Sequence, residues 1–310
     1  MSMSRCVFMG TPAIAAVVLE NMIKNNIQVG LVVTQPDKKV GRKQKIVYSP
    51  VKEIAEKYGI SCFQPIRIKE DFQTILDFNP DLIVTCAYGQ IVPISILECP
   101  KYGCVNLHGS LLPKYRGGAP IQRAIWNGDK VTGMSLMKMA PKMDAGPVLD
   151  VEKIDILDDD NSSTIFEKLG VAASRLLIKN FDLICSNQAK YIEQDASKVT
   201  FAPIITKEEE KIDLTKDDLF IYNQIRALSL KPGAYVLLKN KKFKILKARY
   251  IKESVSSNYE LVGWVHDGYG LTLKNGVLII EQCQMEGKPI VCAKDFYNGQ
   301  GRNLVGTFVE

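Results

Sequence analysis

Histidine is scarce in this sequence, since its 310 residues include only His108 and His266. The eight cysteines contain no Cys-x-x-Cys pair, and no second histidine lies near His108 in the sequence. The sequence therefore argues against a zinc site and against a disulfide framework, and we expect no bound metal. Several cysteines lie inside apolar runs, where they behave as small hydrophobic residues. A reducing, cytoplasmic setting fits this usage best.

Long apolar runs are also missing. No run reaches the roughly 18 residues of a membrane span, and no basic-then-apolar leader opens the chain. We therefore expect neither a signal peptide nor a membrane partner. The composition, with 46% hydrophobic and 24% charged residues, is that of an ordinary globular protein. The net charge of +6 allows an anionic partner without requiring one, so the location of the charge matters more than its total.

The first half of the chain alternates short apolar runs with amphipathic stretches, and the chain is long enough for two domains. This alternation predicts an α/β fold, with a Rossmann-like, largely parallel sheet and helices on both faces. The predicted strands are Arg5–Met9, Val29–Thr34, Leu82–Ala87 and Cys104–Leu107. The predicted helices are Pro12–Lys24, Pro50–Tyr58, Asp71–Phe78 and Ala119–Trp126, with a long helix opened by a capping box at Thr164.

The sequence becomes polar and irregular after residue 187. We predict a first domain over residues 1–187, a linker over 188–207 and a second domain over 208–310. In the second domain, one helical segment is followed by five short strand-like pieces that turn signals separate. This pattern favours a small OB-like β-barrel.

Two polar side chains mark the end of a buried strand, Asn106 and His108. Because strand side chains alternate, both project to one face, where α/β sheets bind ligands at their carboxyl edge. Asp144 follows in the loop Met143-Asp144-Ala145-Gly146. An amide donor, an imidazole and a carboxylate, with no paired nucleophile, suit direct acyl transfer through a tetrahedral intermediate. The alternative for a lone histidine is a strand end satisfied by a neighbouring carbonyl.

Positive charge is concentrated in two segments. Five of the ten residues of Pro36–Lys45 are basic, among them Arg42, Lys43 and Lys45, and this segment leaves the sheet at the same edge as His108. From Leu219 to Lys252 there are nine Lys or Arg and no acidic residue. Such a window favours a polyanion-binding surface, although a solvated loop and a basic hairpin face are the alternatives.

These motifs together resemble the 10-formyltetrahydrofolate-dependent formyltransferases along essentially the whole chain. The resemblance is carried by Phe8–Pro12, Thr34–Asp37, Ser49–Lys52, Ala87–Gly89, Asn106–Pro113, Arg116–Gln122 and Met139–Gly146. One departure is Pro147, which stands where the family often has an acidic residue. The resemblance implies a formyl transfer from 10-formyltetrahydrofolate, a co-substrate, to the α-amine of methionyl initiator tRNA.

The resemblance also implies roles for individual residues. Asn106, His108 and Asp144 would be catalytic. The folate pocket would be lined by Tyr88, Gly89, Ser110, Leu111, Leu112 and Pro113. The tRNA would be bound by Arg42, Lys43, Lys45, Arg226, Lys241, Lys242 and Lys244. We expect a monomer that binds neither DNA nor membrane. The rival functions are formyl transfer to a sugar-nucleotide amine, hydrolysis of formylfolate, and tRNA binding without catalysis.

Overall fold

A computed structural model describes residues 5–41 and 44–310 of the chain, with the side chain of Val40 left out. The chain forms two compact units. Unit 1 contains the chain as far as Gly117, Val131–Asp155 and Phe166–Ala202. Unit 2 contains Gly118–Lys130, Ile156–Ile165 and Pro203–Glu310. Two short segments that precede residue 187 therefore belong to the same unit as the carboxyl-terminal part, and the predicted boundaries at 187 and 208 stay a prediction.

The first part of the chain alternates strands and helices. Its strands are β1 (Cys6–Gly10), β2 (Val29–Val33), β3 (Lys38–Val40), β4 (Lys45–Val47), β5 (Ser61–Phe63), β6 (Leu82–Cys86), β7 (Cys104–His108), β8 (Val131–Lys138) and β9 (Val148–Asp155). Its helices are α1 (Ala13–Lys24), α2 (Pro50–Lys57), α3 (Gln73–Phe78), α4 (Ile94–Leu97), α5 (Pro120–Trp126) and α6 (Ser162–Cys185).

Within the described residues of unit 1, seven strands form one sheet in the order β5-β2-β1-β6-β7-β8-β9. The pairs from β5 to β7 are parallel, whereas β8 and β9 are antiparallel. The strand order reverses between β1 and β6, and ligands of such sheets bind at the carboxyl ends beside this point. The Thr11 hydroxyl, just after β1, donates a hydrogen bond across it to the Tyr88 carbonyl at 3.0 Å.

One face of this sheet is apolar until it reaches the carboxyl edge. Val7, Met9, Val33, Ile83 and Cys104 form a buried cluster there with residues of α3 and α4. Since side chains alternate, the residues that continue this face after Ile83 and Cys104 are Thr85, Asn106 and His108. The apolar core therefore ends in a polar rim on the β6 and β7 strands.

The other face of the sheet is covered by different helices. Gly10 of β1 lies against Ala15 of α1, and Gly170 of α6 lies against Val17 of α1. Helix α2 begins as its sequence predicts, because the Ser49 side chain accepts a hydrogen bond from the Lys52 N–H and proline occupies the first turn. The predicted α/β class, with a parallel-rich sheet between helices, is confirmed.

The remaining elements all lie in unit 2: α7 (Asp218–Ala227), β10 (Ala234–Leu238), β11 (Lys241–Lys252), β12 (Leu261–Val265), β13 (Gly268–Thr272), β14 (Gly276–Met285), β15 (Val291–Cys292) and α8 (Ala293–Gly299). The sheet order is β10-β11-β14-β13-β12, and β15 pairs with β14. Every described pairing in this sheet is antiparallel. The aromatic ring of Phe296 on α8 stacks on Phe243 with centroids 5.1 Å apart.

The carboxyl-terminal residues form backbone hydrogen bonds at both edges of this sheet. Glu310 exchanges two backbone hydrogen bonds with Leu237 of β10, at 2.6 and 2.9 Å. On the other side, Phe308 forms an antiparallel bridge with Glu260, and Val309 donates to the Tyr259 carbonyl immediately before β12. The terminal segment thus pairs with both edge strands, as a small barrel requires. The predicted all-β second part is confirmed.

Two local predictions are wrong. The capping box at Thr164 does not open the long helix, because α6 begins at Ser162 and the Asn161 side chain accepts from the N–H groups of Ser163 and Thr164. The basic segment after β2 contains an antiparallel pair, β3 with β4, where the sequence suggested a loop. In residues 5–41 and 44–310, no helix has the length and apolar composition needed to cross a membrane.

Candidate active site

The structure brings two members of the predicted catalytic trio into contact. His108 ends β7, and Asp144 lies in the loop that joins β8 to β9. The His108 Nδ1 is 3.6 Å from the Asp144 Oδ1, and the two side chains are 6% and 13% exposed. At this distance the carboxylate can interact with a positive charge that develops on the imidazole.

The other ring nitrogen of His108 is also engaged. Its Nε2 lies 2.9 Å from the backbone carbonyl of Tyr115. Because a carbonyl only accepts, this nitrogen carries a hydrogen and donates it. Nδ1, the nitrogen that faces Asp144, therefore carries the lone pair of the neutral ring.

Asn106, the third member of the trio, is oriented from the neighbouring strand. The hydroxyl of Thr85, which is buried on β6, donates to the Asn106 Oδ1 at 2.7 Å. With the amide oxygen held in this contact, the Asn106 Nδ2 points away from Thr85. Among the described residues, the Nδ2 donates to no protein acceptor, so its two hydrogens remain available at the polar rim.

Asp144 is held in an unusual backbone conformation. Its backbone φ of +51° lies in the left-handed region, which residues other than glycine rarely adopt. The Gly117 N–H donates to the Asp144 Oδ2 at 2.8 Å, so one carboxylate oxygen is fixed while the other faces His108. The loop also requires Gly146, because a Cβ there would overlap the Lys138 carbonyl oxygen.

The predicted folate-binding turn follows His108 directly. The Ser110 side chain is fully buried and donates to the Lys114 carbonyl at 2.7 Å. Leu111, Leu112 and Pro113 are half-buried. The Leu112 N–H donates to the Ser135 Oγ, which in turn donates to the Ser110 carbonyl. Ser110 therefore shapes the turn, and the next three residues line its surface.

Tyr88 belongs to the apolar cluster under the site. It is 4% exposed, and its hydroxyl has no hydrogen-bond partner in the described structure. Burial raises the pKa of this phenol to about 12, so it stays neutral. Its backbone carbonyl accepts from Thr11 and from the Gln35 side chain. Gly89, which follows, is exposed with φ +92°. A folate contact at this position would use the exposed backbone of Gly89, because the Tyr88 ring is buried in the cluster beneath it.

The predicted tRNA-binding residues of the first basic segment are partly described. Arg42 and Lys43 lie outside the described residues. Lys45 is exposed on β4, and the next three residues, Ile46, Val47 and Tyr48, are exposed as well. Exposed apolar and basic side chains in succession are typical of surfaces that contact nucleic acid.

The second basic segment divides into different environments. Arg226 is buried in unit 2, where its guanidinium donates to the carbonyls of Asp160 and Leu157 at 2.6 and 2.5 Å. Its charge is used inside the unit, so the tRNA-binding prediction for Arg226 is corrected to a structural role. Lys244 is half-buried and donates to the Pro232 carbonyl.

Lys241 is exposed, and Lys242 lies over the Tyr235 ring at 4.3 Å. The segment Leu219–Lys252 contains no acidic residue, but folding brings an acidic side chain from another strand next to it. Glu281 on β14 pairs with Lys247 at 2.9 Å and with Arg249 at 2.7 Å. Lys241 and Lys242 are therefore the best remaining candidates for tRNA contacts in this segment.

Sequence reasoning missed the residues that support the trio. Thr85, Tyr115 and Gly117 contact it through a side chain, a carbonyl and an N–H. The only available signal for Gly117 was its place in the Arg116–Gln122 motif. The two backbone contacts carry no residue-type signature, so the sequence alone could not have identified them.

The fold and this site define a class of protein. The family model described as "Formyl transferase" matches residues 4–181, and "Formyl transferase, C-terminal domain" matches residues 204–301. The chain belongs to the formyl transferase family, and the resemblance predicted from its motifs is confirmed. It is 42% identical to the methionyl-tRNA formyltransferase of Lactobacillus acidophilus over 98% of both chains. It is 43% identical to that of Halalkalibacterium halodurans over 97% of this chain and 96% of the relative.

Solved structures are similar in fold. The chain matches an N-formyltransferase from Helicobacter canadensis, solved with folinic acid and dTDP-3-aminofucose, with a TM-score of 0.69 and 21% identity, over 91% of this chain and 100% of the other. It matches a HypX variant from Aquifex aeolicus with a TM-score of 0.73 and 14% identity, over 98% of this chain and 50% of the other. At these identities the likeness concerns the fold.

Proposed function

We propose that this chain transfers the formyl group of 10-formyltetrahydrofolate to the α-amine of methionyl initiator tRNA, a step that prepares translation initiation. The full-length similarity to methionyl-tRNA formyltransferases supports this acceptor. The observation that carries the chemistry is the free amide nitrogen of Asn106 on the same strand face as the His108–Asp144 pair. A formyl-folate co-substrate is supported by the family to which the chain belongs.

In this proposal the amine attacks the formyl carbon directly, and a tetrahedral intermediate forms with negative charge on the formyl oxygen. Asn106 Nδ2 donates to this oxygen. Because Thr85 holds the amide oxygen, the donor is already oriented before the charge develops. Oriented donors of this kind contribute about 100- to 1,000-fold in other acyl-transfer enzymes.

The second requirement is a proton transfer. An α-amino group titrates at about pH 8 and esterification lowers this value, so much of the amine is already neutral and needs little help to attack. The tetrahedral intermediate must then lose a proton from the attacking nitrogen and gain one on N10 before the C–N10 bond breaks. His108 Nδ1 receives and returns this proton, and Asp144 stabilises the imidazolium that forms in between.

The acceptor must be recognised by charge and by exposed aromatic or apolar surface. Lys45 and the neighbouring exposed side chains offer such a surface in unit 1, and Lys241 and Lys242 offer one in unit 2. We propose that both bind tRNA. The eight cysteines form no disulfide within the described residues, and burial raises the pKa of Cys6, Cys86, Cys104 and Cys283. Reduced cysteines, several of them buried as hydrophobic residues, support a cytoplasmic location. A monomeric state stays a prediction.

The test is an acceptor comparison with the purified chain and 10-formyltetrahydrofolate. Formyl transfer is measured with methionylated initiator tRNA, with a dTDP-amino sugar, and with water alone. We expect transfer to the tRNA and at most trace activity with the other two. Transfer to the sugar nucleotide, or formyl release to water alone, would assign the chain to another branch of the family. No release with any acceptor would leave a binding protein.

A further inference from the structure

Gln194 lies in the segment that the sequence predicted to be a linker, yet its side chain reaches the Asp144 loop. Its Nε2 donates to the Asp144 carbonyl at 2.9 Å and to the Gly146 carbonyl at 2.7 Å. Its neighbours Glu193 and Asp195 are exposed, whereas Gln194 is half-buried. One residue of an otherwise exposed stretch is therefore turned inward.

The other end of the Gln194 amide is held as firmly. Its Oε1 accepts from the Nε and Nη2 of Arg116 at 3.1 and 2.8 Å. Both hydrogens and both lone pairs of the amide are thus used. Arg116 is only 8% exposed, and its backbone is paired in turn with Thr200 and Ala202.

Two neighbouring residues, Arg116 and Gly117, hold Asp144 at two different places. Gly117 holds the carboxylate directly, and Arg116, through Gln194, holds the backbone carbonyls of Asp144 and Gly146. A left-handed φ at an aspartate is unfavourable and persists only where the surroundings impose it. Two hydrogen bonds to the carbonyls of Asp144 and Gly146 supply such a constraint.

We propose that Gln194 is a positioning residue that acts through Asp144: it keeps the carboxylate against His108 during formyl transfer. The proposal rests on the proposed function for its kinetic test, but the contact itself can be tested without substrate. It also implies that the segment around Gln194 is part of the active-site unit.

The test variant is Gln194→Glu. The new carboxylate still accepts from Arg116, so the buried guanidinium keeps its partner, but it cannot donate to the Asp144 and Gly146 carbonyls. We expect kcat to fall about 30-fold, as for the loss of two good hydrogen bonds to a catalytic loop. The matched control is Glu193→Gln, the reverse exchange at the exposed neighbour, which should leave kcat within about twofold.

A double-mutant cycle separates positioning from general damage. In an Asp144→Asn background, Gln194→Glu should lower kcat less than about threefold, because the group it positions is already lost. An equal loss in both backgrounds, or no loss in the wild-type background, would overturn the proposal. Melting temperatures of all variants identify unfolding, and Gln194→Ala serves as a second variant if the glutamate destabilises the chain.

A spectroscopic arm needs no formyl transfer. The chain has two histidines, so selectively labelled protein gives one ring signal from His108 and one from His266. Gln194→Glu should move the His108 signal, as Asp144→Asn should too, and both should leave the His266 signal in place. An unmoved His108 signal would refute the positioning role even if the wild type were active. Conversely, a moved signal in a protein without transfer activity would refute only the proposed function.

Discussion

Asp144→Asn removes one charge from the site and little else. Asparagine has nearly the same shape, its Oδ1 can still accept from the Gly117 N–H, and it tolerates a left-handed φ at least as well as aspartate. Its amide nitrogen would face the His108 Nδ1, where the carboxylate oxygen lies in the wild type. The fold should therefore survive, and the interaction with a positive imidazole should not.

The size of the effect follows from the geometry. Opposite unit charges separated by 3.6 Å interact by about 4 to 5 kcal/mol at an effective dielectric constant of about 20. Both side chains are mostly shielded from water, so solvent screening does not remove this energy. If the imidazolium forms in the transition state, losing its interaction with Asp144 lowers kcat by about three orders of magnitude.

Single-turnover formyl transfer to methionylated initiator tRNA measures this directly, because product release does not enter the rate. The KM for the tRNA should change little, since Asp144 acts on the proton and not on tRNA binding. The melting temperature should stay close to that of the wild type. A decrease in rate of less than about tenfold in a folded variant would mean that His108 does not become positive during the reaction.

Four further changes separate structural from functional residues. Gly146→Ala forces a Cβ into the backbone of β8, so we expect activity to fall at least about 100-fold in a transfer assay. Thr85→Val frees the Asn106 amide and should lower kcat about tenfold, while Thr85→Ser should keep kcat close to that of the wild type. Arg226→Met should lower the free energy of unfolding by about 3 kcal/mol in urea denaturation, whereas Lys241→Ala should leave it unchanged within about 0.5 kcal/mol and instead raise the KM for tRNA. Hydrogen bonds from two lysines lower the pKa of Glu20 to about 2 from 4.5, so its stabilising effect is complete above about pH 4.5 and is lost as the pH falls towards 2. The stability difference from Glu20→Gln should close over that range, and a constant difference would contradict the assignment.

The sequence predicted most of the sheet because buried parallel strands are continuous apolar runs. Strand β1 is buried at every position because it lies between two parallel neighbours, β2 and β6. A central strand of this kind has an uninterrupted apolar sequence, which is why it was predicted. The β3–β4 pair escaped this reasoning because its strands are short, polar and exposed, so they carry no apolar alternation. Helix α6 was recognised, but Asn161 and Thr164, three residues apart, are both suitable capping residues, and the sequence does not decide between them.

The candidate site was predictable only in its chemistry. Asn106 and His108 share a face because they are two residues apart on a strand, which the sequence states directly. The environment of Arg226 was not predictable, because its acceptors come from residues more than 60 positions away. Glu281 likewise reaches Lys247 and Arg249 only through the register of β11 with β14. The sequence shows where basic residues are concentrated. Their contacts with residues that are distant in the sequence determine how many of them remain exposed and unpaired.

The turn after His108 also depends on residues that are distant in the sequence. Tyr115, with φ +60°, presents its carbonyl to His108, and Gly117 presents its N–H to Asp144, so consecutive backbone groups on either side of Arg116 hold both members of the pair. Tyr115 and Asp144 are both left-handed, and each such residue costs about 1 kcal/mol or more, which must be offset by contacts elsewhere. The offsetting contacts come from the segment around Thr200, whose carbonyl and hydroxyl accept from the Arg116 and Tyr115 N–H groups. The stretch that composition predicts to be a linker therefore supports the backbone that holds His108 and Asp144 together.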